Sequence, residues 1–100
     1  MNEGQIPENP RKINYTHERT RIIKLKDFEI EKIKIQRDKD IKEAEDKLKK
    51  WIVANPRNSL GKDMTRQSEK HITSIRDIAE NNIRTLETMA RTDIEMLENN

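Results

Sequence analysis

The spacing of apolar residues constrains this chain more than any other feature. After Lys62 they recur at steps of 4, 4 and 3, so the pattern repeats every eleven residues. Such a repeat has about 3.67 residues per turn and favours a straight or slightly right-handed coil over a left-handed heptad supercoil. The pattern predicts one long amphipathic helix. Its ten positions, nine of them apolar, are Met64, Ser68, Ile72, Ile75, Ala79, Ile83, Leu86, Ala90, Ile94 and Leu97.

A segment nearer the N-terminus follows the same steps, and seven of its nine positions are apolar. Lys26 and Arg37 interrupt this second repeat. We call the stripe formed by each repeat its seam. Either the apolar stems of these two residues lie in the seam while the charged ends reach solvent, or the two residues pair with acids across an interface and fix its register. The first interpretation is favoured. The nine positions are Ile22, Lys26, Ile30, Ile33, Arg37, Ile41, Ala44, Leu48 and Ile52.

The positions of glycine and proline predict the organisation of the chain. Both residue types are absent from 16–54 and from 63–100, as expected for helix interiors. We expect an irregular N-terminal arm at 1–15, a helix at 16–54, a turn at 55–62 and a helix at 63–98, with Asp63 as its N-cap. Two helices of matched length joined by a short turn predict an all-α antiparallel hairpin, a coiled coil of eleven-residue periodicity, in a single domain at 16–100.

Composition narrows the class of protein. Forty per cent of the residues are charged and 31% are hydrophobic, against about a quarter and about half in a typical globular domain. Acidic residues precede basic ones at four-residue spacing, as in Glu43–Lys47 and Glu80–Arg84, which supports exposed helices rather than disorder. The absence of cysteine and of a long apolar run predicts a cytoplasmic protein, or one within a particle assembled there, with no membrane partner.

The scarcity of apolar residues predicts that the hairpin does not stand alone, because a two-helix rod leaves much of each seam wet. We expect a homo-oligomer, with a dimeric four-helix bundle favoured, in which the large apolar residues of both repeats form the oligomer seam. Residues 1–62 carry a net charge of +5 and residues 63–100 one of −3. A basic helix therefore lies beside an acidic one, which helps to select register rather than to supply stability.

A second set of apolar residues is displaced from the two repeats. These residues either widen a stripe that faces one partner helix or form a separate contact surface, and the separate surface is favoured because a displaced row calls for an explanation. The set consists of Leu25, Phe28, Ile35, Trp51, Ile78, Met89 and Met96.

The segment 11–26 carries a net charge of +5. A basic stretch with interleaved aromatic rings suits contact with nucleic-acid phosphates and bases. An acidic protein partner, or no dedicated role, would explain the same charges. The candidate contacts are Arg11, Lys12, Tyr15, Arg19, Arg21, Lys24 and Lys26.

The residues that carry chemistry in enzymes form no motif here. His17 and His71 lie in different segments without a serine or aspartate at catalytic spacing. The sequence therefore predicts a protein that is not an enzyme and has no cofactor, metal or catalytic site. The leading hypothesis is a helical assembly module that self-associates and docks onto a larger protein complex. The alternative is a small nucleic-acid-binding or regulatory protein of a phage, plasmid or bacterium that uses residues 11–26.

Overall fold

The computed structural model describes residues 10–57 and 59–99, with side chains from Asn14 onward. Helix α1 spans Pro10–Ala54 and helix α2 spans Gly61–Glu98. The two helices pack side by side along their length, and the predicted all-α hairpin is confirmed. Residues 1–9 of the predicted arm, Asn58 of the turn and the terminal Asn100 lie outside the described residues.

Both helices begin earlier than the sequence predicted. Helix α1 starts at Pro10 rather than at residue 16, so the expectation of an irregular chain was wrong for residues 10–15. Proline fits a first turn because its missing N–H has no intrahelical partner there in any case. Helix α2 starts at Gly61, and Leu60 rather than Asp63 is the N-cap residue. Asp63 lies in the first turn, where its charge still favours the helix dipole.

The turn is therefore shorter than predicted, and few bonds close it. The backbone N–H of Asn55 donates to the carbonyl of Ile52 at 3.2 Å, and that of Met64 donates to the carbonyl of Leu60 at 2.9 Å. The side-chain amide of Asn55 donates to the carbonyl of Trp51 at 2.9 Å. These bonds satisfy backbone groups that a helix end leaves without an intrahelical partner.

The eleven-residue repeat of α2 is the face that this helix turns toward α1. All ten positions of the repeat are buried or half-buried, and nearly all of the remaining residues of α2 are exposed. Ala79 and Ala90 are the buried ones. The residues predicted as an oligomer seam thus form, in the single chain, the contact between its own two helices.

The repeat of α1 holds from Ile22 to Leu48 and then shifts by one residue. Ile52, predicted in the seam, is 42% exposed, whereas Trp51, predicted in the second apolar set, is half-buried. The expectation for these two residues was wrong. Near the turn the step after Leu48 is three residues instead of four, which brings the large indole into the contact, where it covers more apolar area than an isoleucine would.

The described side chains that are buried between the helices are all small. Among the described residues the buried hydrophobic ones are Ala44, Ala79 and Ala90. The radius of gyration is 23.6 Å, against about 13 Å for a compact domain of this length. The hairpin is a rod with a seam rather than a domain with a core.

Candidate interaction surfaces

Small residues lie along the centre line of the α2 repeat, and longer side chains lie along the facing line of α1. Ser68, Ala79 and Ala90 follow one another at eleven-residue spacing, so they lie on one line along the helix. We call these three residues the small line. The corresponding line on α1 contains Lys26, Arg37 and Leu48. Small residues on one side let the helix axes approach closely while the longer side chains of α1 fill the space beside them.

Lys26 and Arg37 place their charges at the rim of the seam. Their side chains are 25% and 30% exposed, and each pairs with the next residue of its own helix. Lys26 Nζ lies 3.3 Å from Asp27 Oδ1, and Arg37 Nε lies 2.9 Å from Asp38 Oδ1. The stems lie in the contact while the charged ends reach the rim, in agreement with the favoured interpretation. The two basic–acidic pairs are eleven residues apart, like the seam itself.

Ser68 is the polar member of the small line, and its hydroxyl oxygen is buried without a hydrogen-bond partner. We predict that Ser68→Ala raises the free energy of unfolding by about 1–3 kcal/mol, because it removes this unsatisfied group and improves helix propensity. Thermal unfolding followed by circular dichroism checks this prediction. Ser74→Ala, at an exposed position of the same helix, is the control for propensity alone. A Ser68→Ala gain no larger than that of the control contradicts the prediction.

The hairpin has two broad sides, each with a groove between the helices. On one, which we call the charged side, eight of the ten lining residues are charged. They are Arg37, Asp38, Lys42, Glu45, Arg76, Glu80, Arg84 and Glu87. The opposite groove, nearer the turn, is lined by Trp51 and His71 together with apolar seam residues, and its charged residues are Asp40, Glu43 and Lys47. Asp38 lines the groove of the charged side and Asp40 lines the opposite groove, because two residues correspond to about 200° of rotation around a helix.

The eleven-residue spacing shows which exposed apolar residues share a broad side. Lys47 and Gln67 both line the groove that contains Trp51. Leu25 precedes Lys47 by two repeats, and Ile78 and Met89 follow Gln67 by one and two repeats, so all three face the same broad side. Met96 follows Met89 by seven residues, or about two turns. We call this surface the apolar side, and it consists of Leu25, Ile78, Met89 and Met96, all of them exposed.

The remaining members of the second apolar set point elsewhere. Lys24 lines a shallow groove formed by α1 residues alone, and Ile35 follows Lys24 by eleven residues. Ile35 therefore lies on the outer side of α1, away from α2. Phe28 lines the same outer groove, and Lys32 Nζ lies 4.7 Å from the centroid of its ring. Leu25 also lines this outer groove, so it lies at the edge between the apolar side and the outer side of α1. The set predicted from sequence is thus divided between the apolar side, on which the groove at Trp51 also lies, and the outer side of α1.

The structure also divides the predicted basic contacts. His17, Arg21 and Lys24 line the outer groove of α1 beside Phe28. Lys26 is turned into the seam, so it does not join them. Arg19 is exposed. The backbone of Arg11 and Lys12 is helical, but their side chains lie outside the description.

Tyr15 joins the open ends of the two helices. Its hydroxyl donates a hydrogen bond to Glu98 Oε1 at 2.8 Å, across 83 residues of chain. This bond shows which residues of α1 and α2 lie level with each other. Leu25 comes ten residues after Tyr15, and Met89 nine before Glu98, so these two members of the apolar side are neighbours along the rod.

The same bond predicts the ionisation of Tyr15. Donation to the Glu98 carboxylate raises the pKa of the phenol above its usual value of 10.0, and desolvation adds to this effect. Because the raised pKa belongs to the folded state, the linked stability is fully present below about pH 10, where the unfolded chain titrates. It is lost as pH rises through the higher pKa of the folded state. The ultraviolet absorbance of this single tyrosine measures the titration directly. Glu98→Gln should bring the pKa back toward 10.0, and an unchanged pKa would contradict the assignment.

Other kinds of site leave little trace in the described residues. No group of three or more His, Asp or Glu side chains there is arranged to hold a metal ion. Neither α1 nor α2 has an apolar stretch long enough to cross a bilayer. Comparisons with models of known families, with characterised proteins and with solved structures found no match. We therefore infer function from the charges and the exposed apolar residues on the surfaces of the hairpin.

Proposed function

We propose that this protein is a non-enzymatic helical assembly module that self-associates through its hairpin and docks onto a larger protein complex. The observation that carries the proposal is the size of the buried side chains, since none of the described ones larger than alanine is buried. Folded domains bury large aliphatic and aromatic side chains. A second copy supplies the cover that the half-buried isoleucines and leucines of the seam lack.

The exposed area supports the same proposal. The chain exposes 8526 Å², whereas a compact monomer of its mass exposes about 6,000 Å². Each partner in a standard interface buries about 800 Å², and partners in obligate dimers bury more. The excess is large enough for an obligate interface.

Sedimentation equilibrium and thermal unfolding together test self-association. We expect a mass of twice 11.9 kDa at micromolar concentration, and an unfolding midpoint that rises with protein concentration because folding and association are linked. A stably folded monomer with a concentration-independent midpoint would refute the proposal.

Docking onto a larger complex is the second half of the proposal, and the outer side of α1 is the surface it assigns to that role. Phe28 and Ile35 are 58% and 61% exposed there, and Lys24 supplies a nearby amine for crosslinking. Crosslinking of the intact protein in its host, followed by mass spectrometry, should join Lys24 to another protein. Phe28→Glu/Ile35→Glu should abolish those crosslinks, and crosslinks that persist in this variant would argue against docking through this side.

Nucleic-acid binding is the second candidate function, and the outer groove of α1 favours it. This groove combines His17, Arg21 and Lys24 with the ring of Phe28, a mixture that suits phosphates and stacked bases. Binding to a short oligonucleotide should weaken steeply between about 50 and 200 mM salt. Arg21→Gln/Lys24→Gln should weaken it, whereas Lys42→Gln/Lys49→Gln, elsewhere on α1, should have less effect. Equal affinity of wild type and Arg21→Gln/Lys24→Gln would exclude this candidate.

A further inference from the structure

We propose that the apolar side, Leu25, Ile78, Met89 and Met96, is the interface with a second copy, and that the two hairpins stack face to face with their turns at the same end. The inference rests on the self-association proposed above and adds the surface and the orientation.

The contrast between the two broad sides selects the surface. Leu25, Ile78, Met89 and Met96 are each more than half exposed, and the eleven-residue spacing places them toward one side of the rod. The groove on the other side is bordered by eight charged side chains, against three in the groove of the apolar side, and each charge that is buried requires a partner. Desolvation therefore favours association through the apolar side.

The level of the residues along the rod makes this surface complementary to itself. Leu25 on α1 and Met89 on α2 lie at nearly the same level, as the Tyr15–Glu98 bond requires. A two-fold axis along the rod places α1 of one copy over α2 of the other at matching levels. Leu25 of each copy then meets Met89 of the other, which gives the paired contacts of an isologous interface.

The charges of the helices favour this orientation over the reverse one. Helix α1 carries fourteen basic and nine acidic residues, and α2 carries six basic and eight acidic residues. With the turns at the same end, each basic α1 lies on an acidic α2, whereas hairpins stacked in opposite directions would lay α1 on α1. Such complementarity selects partner orientation even where it adds little affinity.

One specific pair illustrates this match. Arg21 precedes Glu43 by two repeats, and Asp93 follows His71 by two repeats, while Glu43 and His71 both line the groove beside Trp51. Arg21, which also lines the outer groove of α1, therefore lies at the edge of the apolar side, six residues after Tyr15. Asp93 lies toward the same side, five residues before Glu98. Arg21 and Asp93 are level with each other, so stacking with the turns together brings Arg21 of one copy close to Asp93 of the other.

The first experiment identifies the surface. Leu25→Glu/Met89→Glu should raise the dimer dissociation constant at least a hundredfold in sedimentation equilibrium, because four carboxylates would enter the interface. Ile35→Glu is the matched control, because Ile35 is 61% exposed and Leu25 is 59% exposed on the same helix, and it should leave the constant within about threefold of wild type. A dimer that tolerates Leu25→Glu/Met89→Glu would overturn the inference while leaving self-association intact. A monomeric wild type would instead refute the proposed function.

The second experiment determines the orientation in an otherwise unchanged interface. The chain has no cysteine, so Ser59→Cys in the exposed turn accepts a single nitroxide label per copy. With the turns together, double electron–electron resonance should give a distance below about 40 Å, since packed helices lie about 10 Å apart. Turns at opposite ends would separate the labels by about the 57 Å length of α2, and that distance would overturn the assigned orientation.

Discussion

Replacing Ala79 with leucine should lower the free energy of unfolding by about 1–3 kcal/mol, the usual cost of adding methylene groups at a close contact. Ala79 is 6% exposed, although the rod around it has little depth. Its burial means that the axis of α1 passes close by. A leucine there would push the helices apart and expose the isoleucines on either side.

Denaturant unfolding at a fixed protein concentration measures this effect. Asn81→Leu is the matched control, because Asn81 is an exposed position two residues away on the same helix and leucine is the better helix former there. We expect the control to match or exceed wild type in stability. If Ala79→Leu is as stable as this control, then the small line of α2 does not set the distance between the helices.

Leucine at both Lys26 and Arg37 should have the opposite effect and raise the free energy of unfolding by about 1–3 kcal/mol. Burying a leucine side chain contributes about 1.5–3 kcal/mol, from which the packing of the existing stems must be subtracted. The ion pairs that would be lost lie at the rim and are worth at most about 1 kcal/mol each. The substitution completes the apolar repeat of α1.

Chemical denaturation again provides the measurement, and Lys39→Leu/Lys50→Leu is the control. Those two lysines are also eleven residues apart on α1 but are exposed, so leucine there should leave stability nearly unchanged. Equal gains in both variants would show that helix propensity, and not the seam, is responsible. A loss of stability on replacing Lys26 and Arg37 would mean that their charges hold the register.

Periodicity predicted the contact between the helices correctly where each step of the repeat has one clear candidate residue. All ten positions of the α2 repeat face α1, because an eleven-residue repeat returns to the same side of a helix after three turns. Prediction failed where two neighbours compete for the contact, as at Trp51 and Ile52, since spacing alone does not rank an indole against an isoleucine. It also failed at Pro10, where the usual link between proline and irregular chain does not apply to a first helical turn.

The second apolar set shows the limit of reasoning from one helix at a time. Spacing places Leu25 on α1, and Ile78 and Met89 on α2, relative to the seam of each helix. Which of them become neighbours depends on how far one helix is shifted against the other. The hydrogen bond from Tyr15 to Glu98 shows that shift, and no local pattern in the sequence predicts a contact across 83 residues.

The sequence by itself determined that the chain forms two long helices with one apolar seam each, because periodicity and the placement of glycine and proline act locally. Only the tertiary structure decided that the two seams cover each other, that alanines are the only described residues buried between them, and that the remaining exposed apolar residues divide among different sides of the rod. Those outcomes depend on the distance and register between helices, which arise from side-chain packing between segments far apart in the chain.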